Sequence, residues 1–502
     1  MNYETVSRAL EAMDKYQQMR SAYSHAINVI SLDASTAAPK ESWEGRGRTM
    51  GVMSRIMYDL ETDPQIGEWL RVLEANAEDL TPQQRRQAEV IRKNFDKTNK
   101  IPADEYVAYD VLLNDAQAAW EKAKIQDDFE LFAPYLEQIV AYNRKFAGYH
   151  NPDMEPYDAL LDEYEEGMTM EKLDVFFAQL REAIVPLVAK IQAAADVDDS
   201  FLCRKYPVEQ QKQLSEYIMD ILNLDRRYCT LAESEHPFTL NFNNKDVRIT
   251  THYYEDVPTF SLYSVIHEGG HALYELGADD AYNYTVLSGG VSMGIHESQS
   301  RFYENIIGRS EPFIRLIFPQ IKELFPEQLK DVDADMFYRA VNKAQPSLIR
   351  TEADELTYAN HVMIRYEIEK QMIAGTLAVR DIPAEWNRLY KEYLGIDVPN
   401  DRVGCLQDSH WSGGAIGYFP SYALGSAYGA QMLHKMTEDL GDIREEIAKG
   451  NLTEITAWLK KNIHCHAGFK KPNELFEDVC GPFDASYFTR YLTEKYSKLY
   501  NL

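Results

Sequence analysis

SVIHEGGHALYELG, residues 264–277, sets His267 and His271 four positions apart, with Glu268 directly after the first histidine and Gly269 and Gly270 between them. The stretch reads as helix. One helical turn spans about 3.6 residues, so both imidazoles project from one face, close enough to hold a single ion. Glu268 lies beside them. There it can take a proton from an ion-activated water and pass it to a leaving amine, as peptide hydrolysis requires. Two imidazoles and one carboxylate with an open fourth position suit zinc, and other divalent ions can use the same donors. The glycines oppose helix formation, each costing roughly 1 kcal/mol relative to alanine. They predict close approach by another segment near the ion.

Just upstream, FTLNF (238–242) and DVRITTHYY (246–254) are β-rich runs joined through Asn243 and Asn244, the pattern of a hairpin. In the second run Val247, Ile249, Thr251 and Tyr253 share one face, leaving Arg248, Thr250, His252 and Tyr254 on the other. Pro258 suits a first helical turn and Gly277 a C-terminal cap, so a small sheet feeds the HEGGH helix directly. Elsewhere, stretches such as residues 5–32, 170–195, 209–224 and 455–464 carry apolar residues at helical spacing. The expected fold is mainly α, a large helical assembly with a small β-sheet beside the H-E-x-x-H helix.

A third ligand must come from elsewhere. Glu275 lies eight positions after His267, about 12 Å along the axis, too far for the same tetrahedral site. The longer H-E-x-x-H-x-x-G-x-x-H pattern fails, because Tyr274 and Gly277 stand where it needs glycine and histidine. HESQSRFYENIIG (296–308) reads as a second helix with Glu297, Arg301 and Glu304 on one face. Glu297 follows His271 by 26 residues, room for a turn, the connection SGGVSMG and an antiparallel return. It is the expected third ligand. Glu304 is either an acceptor behind a ligand histidine or one member of a solvated ion-pair face.

The chain has 502 residues, with 52 basic against 80 acidic side chains and a net charge of −28, which repels phosphate backbones and anionic membrane surfaces. Nucleic acid and membrane partners are not expected. The first twenty residues lack an apolar signal core, and no apolar run approaches the ~20 residues of a membrane span. Five scattered cysteines without a C-x-x-C pair fit reduced thiols, so a cytoplasmic setting is expected. With no linker, repeat or low-complexity tract, residues 1–502 read as one domain. Its parts are a helical region at about 1–230, a metal-site core at about 231–425 and a helical region at about 426–502.

HEGGHALYE followed by GIHESQSRFYEN resembles the carboxypeptidase Taq family of metallocarboxypeptidases. SEHPFT (234–239), DVRITT (246–251), IRTEADELTY (349–358) and LQDSHWSGGAIGYFPSYALG (406–425) match in the same order. The resemblance extends from about residue 200 to the C-terminus, and more loosely before it. Near Asp33 the family tends to carry tryptophan where this chain has Leu32. The resemblance implies His267, His271 and Glu297 as ligands of one zinc or cobalt ion per chain and Glu268 as general base and acid. It also implies a deep groove, a homodimer, and stepwise removal of C-terminal residues from peptides with broad specificity.

A carboxypeptidase must hold a carboxylate, and in so acidic a chain that anion needs a local cation. Arg248, on the polar strand face, and Arg350, read as opening a helix with Asp354, His361 and Arg365 along one stripe, are the candidates. His236, His410, Tyr418 and Tyr422 are candidate donors to the substrate oxygen that gains charge, with packing as the alternative role of each. GVSMG (290–294) fits G-x-S-x-G but lacks the parallel-sheet setting of a nucleophile elbow. The rival readings are a metallo-endopeptidase or oligopeptidase of the same H-E-x-x-H group, and a non-enzymatic helical interaction protein.

Overall fold

Apolar residues at helical spacing become helix along most of the chain, which in the computed structural model, describing residues 5–502, is 68% helical. The opening helix Val6–Thr36 starts on Thr5, whose side chain accepts the Arg8 N–H, a standard N-cap. With Pro64–Ala75 and Pro82–Asn99 it encloses a small satellite core of Met13, Trp69, Leu70 and Ile91. A much larger core runs from Leu112 to Tyr500 and surrounds the HEGGH helix.

The single sheet has β1 (Cys229–Glu233), β2 (Thr239–Asn243) and β3 (Asp246–Thr251) in the order β1-β3-β2. β2 and β3 form the expected antiparallel hairpin, with a bulge between Asn241 and Asn243. β3 ends at Thr251, three residues before the β-rich run does. β1, parallel to β3, is an addition to the sequence reading; only Cys229 in it is buried, with Leu231 half-buried and the other three residues exposed. Thr239 opposes Ile249, Leu240 opposes Arg248 and Asn241 opposes Val247. Side chains alternate across a strand, so Thr239, Asn241, Val247 and Ile249 share one face and Leu240 and Arg248 the other. The first face meets the HEGGH helix, as hydrogen bonds from Thr239 to Glu268 and between Thr251 and Ser264 show.

The HEGGH helix runs Pro258–Gly277 with Pro258 in its first turn, as expected. Gly277 needs a different explanation from capping. It has no positive φ, and a Cβ there would lie 2.5 Å from the His464 Cβ, so packing excludes a side chain. The returning helix Met293–Arg301 begins on Ser292, whose side chain accepts the Ile295 N–H, and continues into a π-helical turn, Phe302–Ile307. It is clamped between two helices. A Cβ on Gly270 would meet the Gln299 carbonyl oxygen at 2.6 Å and Ser300 Cα at 2.8 Å; one on Gly425, in helix Pro420–Leu440, would meet Glu297 Cβ at 2.7 Å. Gly269 instead faces the Leu222 side chain.

The helix read as opening at Arg350 starts later. Arg350–Glu352 is a short 3-10 turn and the α-helix is Tyr358–Ala374. Asp354 Oδ1 accepts the N–H groups of Leu356 and Thr357, and its Oδ2 accepts the Thr357 hydroxyl, which favours a turn over a helix start at Arg350. The expected polar stripe is interior: His361 and Arg365 are both fully buried.

Candidate metal centre

The HEGGH helix supplies His267 and His271 and the returning helix supplies Glu297. Glu297 Oε2 lies 3.8 Å from His267 Nε2 and 3.6 Å from His271 Nε2. Ligand atoms of the three lie within 4.8 Å of one another, and among the described residues this is the one such cluster of His, Cys, Asp or Glu. The backbone contact at Gly270 sets the helix separation that makes this possible.

Each of the three side chains is held from behind. His267 Nδ1 lies 2.9 Å from Glu304 Oε2, and Glu304 also accepts from Arg301 and Arg309. Of the two expectations for Glu304, the contact matches an acceptor behind His267, not a solvated face. Burial alone would raise its pKa, but Arg301 and His267 outweigh that and hold it well below the usual carboxylate range. Arg301 Nε donates to Glu297 Oε1 at 2.7 Å, leaving Oε2 turned toward the histidines. His271 Nδ1 lies 2.6 Å from His296 Nδ1, and His296 Nε2 lies 2.7 Å from Glu275 Oε1. With both Nδ1 atoms and Glu297 Oε1 occupied, one nitrogen per histidine and Glu297 Oε2, which accepts only from the Ser300 hydroxyl at 3.2 Å, face one another, a donor set that fits a divalent ion.

Glu268 is 7% exposed, and burial raises its pKa. The Thr239 hydroxyl donates to its Oε2 at 2.6 Å, fixing the carboxylate from the sheet side.

Beyond Arg301 lies an aromatic and cationic wall. The Arg301 Cζ stands 4.3 Å from the Tyr358 ring centre, and Arg350 Nη1 donates to the Tyr358 hydroxyl at 2.9 Å. Arg350 is buried and paired with Asp408, which Arg365 also holds; its Cζ lies 4.9 Å from the Tyr422 ring centre. Tyr418 and Tyr422 are in ring contact, and His410 Nε2 lies 3.3 Å from the Tyr422 hydroxyl. Burial, with Arg350 nearby, pushes the His410 pKa down to about 4, so the ring is neutral at pH 7. Glu369 accepts from Trp411 Nε1, Gly417 N and the Tyr157 hydroxyl, pinning the loop between His410 and Tyr418.

The structure thus brings Arg350, His410, Tyr418 and Tyr422 together one side chain away from Arg301. Arg248 sits apart, on the sheet face turned from the HEGGH helix, paired with Asp246 and 4.6 Å from the Phe242 ring centre. His236 is exposed in the connection between β1 and β2. Thr239, His296, Tyr358 and Asp408 adjoin the cluster or its wall and were passed over by pattern reading, which weighed Glu275 only as a ligand. Spacing already placed Glu275 four positions after His271, on the same helix face.

A chain with this helical fold and this histidine, histidine, glutamate cluster is a metallopeptidase by architecture. Residues 12–496 match the family model of carboxypeptidase Taq (M32) metallopeptidases, and the chain belongs to that family. It is 43% identical over 484 residues to carboxypeptidase 1 of Bacillus subtilis, covering 96% of this chain and 97% of that protein. The M32 carboxypeptidase of Deinococcus radiodurans R1 superposes with a TM-score of 0.94 at 36% identity, covering 98% of this chain and 100% of the other. The Pyrococcus furiosus carboxypeptidase gives a TM-score of 0.94 at 34% identity, over 97% of this chain and 99% of that one. The protein is a metallocarboxypeptidase that acts on peptides and uses a divalent metal ion. No helix among the described residues is long and apolar enough to cross a membrane.

Proposed function

We propose that His267, His271 and Glu297 hold one zinc ion, with cobalt the alternative, and that Glu268 is the general base and acid for release of C-terminal residues with broad specificity. The observation that carries this reading is the convergence of the three ligand atoms within 4.8 Å beside a buried Glu268. A divalent ion bound there supplies Lewis acidity to the scissile carbonyl and lowers the pKa of water.

The chain's own groups do the rest. Glu268, steadied by Thr239, takes a proton from the attacking water and delivers it to the departing amine. Tyr418, Tyr422 and neutral His410 are donors to the carbonyl oxygen as it gains charge, and burial keeps both phenols protonated. Arg350, backed by Asp408, is the better candidate for the substrate carboxylate, because it shares Tyr358 with Arg301 and so adjoins the ligand cluster. Arg248 and His236, away from that wall, line an outer part of the groove. The whole of 1–502 works as one domain in a homodimer, and five free thiols fit a cytoplasmic setting.

The direct test uses one short peptide with a free and with an amidated C-terminus. Loss of a single C-terminal residue from the free acid alone supports the reading. Internal cleavage of both peptides would replace it with an endopeptidase.

A further inference from the structure

The two ligand histidines are supported by different chemistry. Each presents Nε2 to the ligand cluster, so each must carry its proton on Nδ1. His267 gives that proton to a carboxylate, Glu304, at 2.9 Å. His271 faces another imidazole, His296, at 2.6 Å between the two Nδ1 atoms. Two protonated nitrogens cannot meet at that distance. His296 can accept only if its own Nδ1 is bare and its proton sits on Nε2, and Nε2 is the atom that faces Glu275 Oε1 at 2.7 Å.

Glu275 is itself fixed. It accepts from the Asn241 side-chain amide on β2 and from the Gly290 N–H at 3.2 Å. The His296 ring is confined as well: Tyr274 packs on it, and a Cβ on Gly290 would come within 2.5 Å of its Cδ2. The donations therefore run outward from the ligand cluster, His271 Nδ1–H to His296 Nδ1 and His296 Nε2–H to Glu275, which also accepts from Asn241 on the sheet. Each of these donors has one acceptor.

We propose that His296 is a positioning residue: held in its Nε2–H tautomer by Glu275, it orients the His271 ring through a neutral acceptor and so sets the protein's affinity for its metal. The proposal rests on the ligand reading above. It assigns no contact between His296 and either ion or substrate. A neutral acceptor aligns His271 while keeping the buried Glu275 carboxylate one ring further from it than Glu304 stands from His267. Packing alone is the competing explanation of the same ring, and the two differ in what they require of one atom, Nδ1.

The experiment measures zinc affinity by competition with a chromophoric chelator for wild-type protein, His296→Leu, His296→Asn and His271→Leu, each checked for native circular dichroism. Asparagine places Oδ1 where histidine has Nδ1, so it keeps the acceptor while losing the contact with Glu275. The expected result is affinity weakened about 10- to 100-fold in His296→Leu and largely restored in His296→Asn. Wild-type affinity in His296→Leu, or equal loss in both His296 variants, overturns the proposal. Unchanged affinity in His271→Leu overturns the ligand reading instead. Should His296→Leu fail to fold, 15N-histidine spectra of the zinc-loaded wild type decide the matter. His296 as the Nε2–H tautomer supports the proposal, and a protonated Nδ1 on His296 overturns it.

Discussion

Gly270 and Gln299 are in backbone contact, so close that a Cβ on the first would stand 2.6 Å from the carbonyl oxygen of the second. That contact fixes how near the Glu297 helix comes to His267 and His271. Alanine ordinarily stabilises a helix interior by about 1 kcal/mol over glycine. Here the obstructing atoms are backbone and cannot turn aside, so overpacking, worth roughly 1–3 kcal/mol, wins. Gly270→Ala is expected to lower the melting temperature and weaken metal binding, read by calorimetry and chelator competition. Gly269→Ala meets the Leu222 and Leu224 Cδ1 atoms, the ends of flexible side chains, and should be milder on both counts.

Thr239 acts on Glu268 through one hydroxyl. A hydrogen bond to a charged group contributes about 1.5–3 kcal/mol, so Thr239→Val should reduce kcat by tenfold or more. KM and metal content should change little. Steady-state kinetics with metal analysis check this, and an unchanged kcat would remove Thr239 from the site.

Arg350 and Arg248 are separated by a paired substitution. Arg350→Lys loses the two-pronged contact with Asp408 and is expected to raise KM for free-acid peptides at least about tenfold, by the geometric demands of carboxylate recognition. Arg248→Lys should have the smaller effect. The reverse order would transfer the carboxylate to Arg248.

Glu369 makes stability depend on pH. Burial pushes its pKa up to about 7, above the ordinary 4.5, so in that interval the folded chain keeps a proton the unfolded chain has lost. Its contribution to stability is therefore greatest below about pH 4.5, falls as pH rises to about 7 and is level above. Glutamine never ionises. Denaturation of wild type and Glu369→Gln across this range should show the difference moving in the variant's favour by a few kcal/mol, at ~1.4 kcal/mol per pH unit. A pH-independent difference would contradict the assignment.

Much of this site was legible in the chain because its chemistry is local. His267, Glu268 and His271 are fixed by one helical turn, and Glu297 by the length of connection an antiparallel return needs. The hairpin announced itself through alternation and the Asn243–Asn244 turn. What pattern reading missed depends on contacts between distant segments. β1 is five residues long and buries only Cys229, too little to stand out, and Thr239 looks like any strand threonine until the sheet meets Glu268. His296 adjoins a ligand in sequence, yet its role appears only when Glu275 and Asn241 converge on it. Arg350 illustrates the opposite error. Its spacing suggested that a helix opens at Arg350, but Asp354 holds a turn there and the helix begins at Tyr358.

The measurement to make first is on Glu268→Gln, comparing bound metal per chain and turnover of a free-acid peptide with the wild type. The structure predicts about one divalent ion per chain in both proteins and a loss of turnover of several orders of magnitude in the variant. Full activity in Glu268→Gln would contradict the assignment of Glu268 as general base, and absence of bound metal from the active wild type would contradict the metal centre itself.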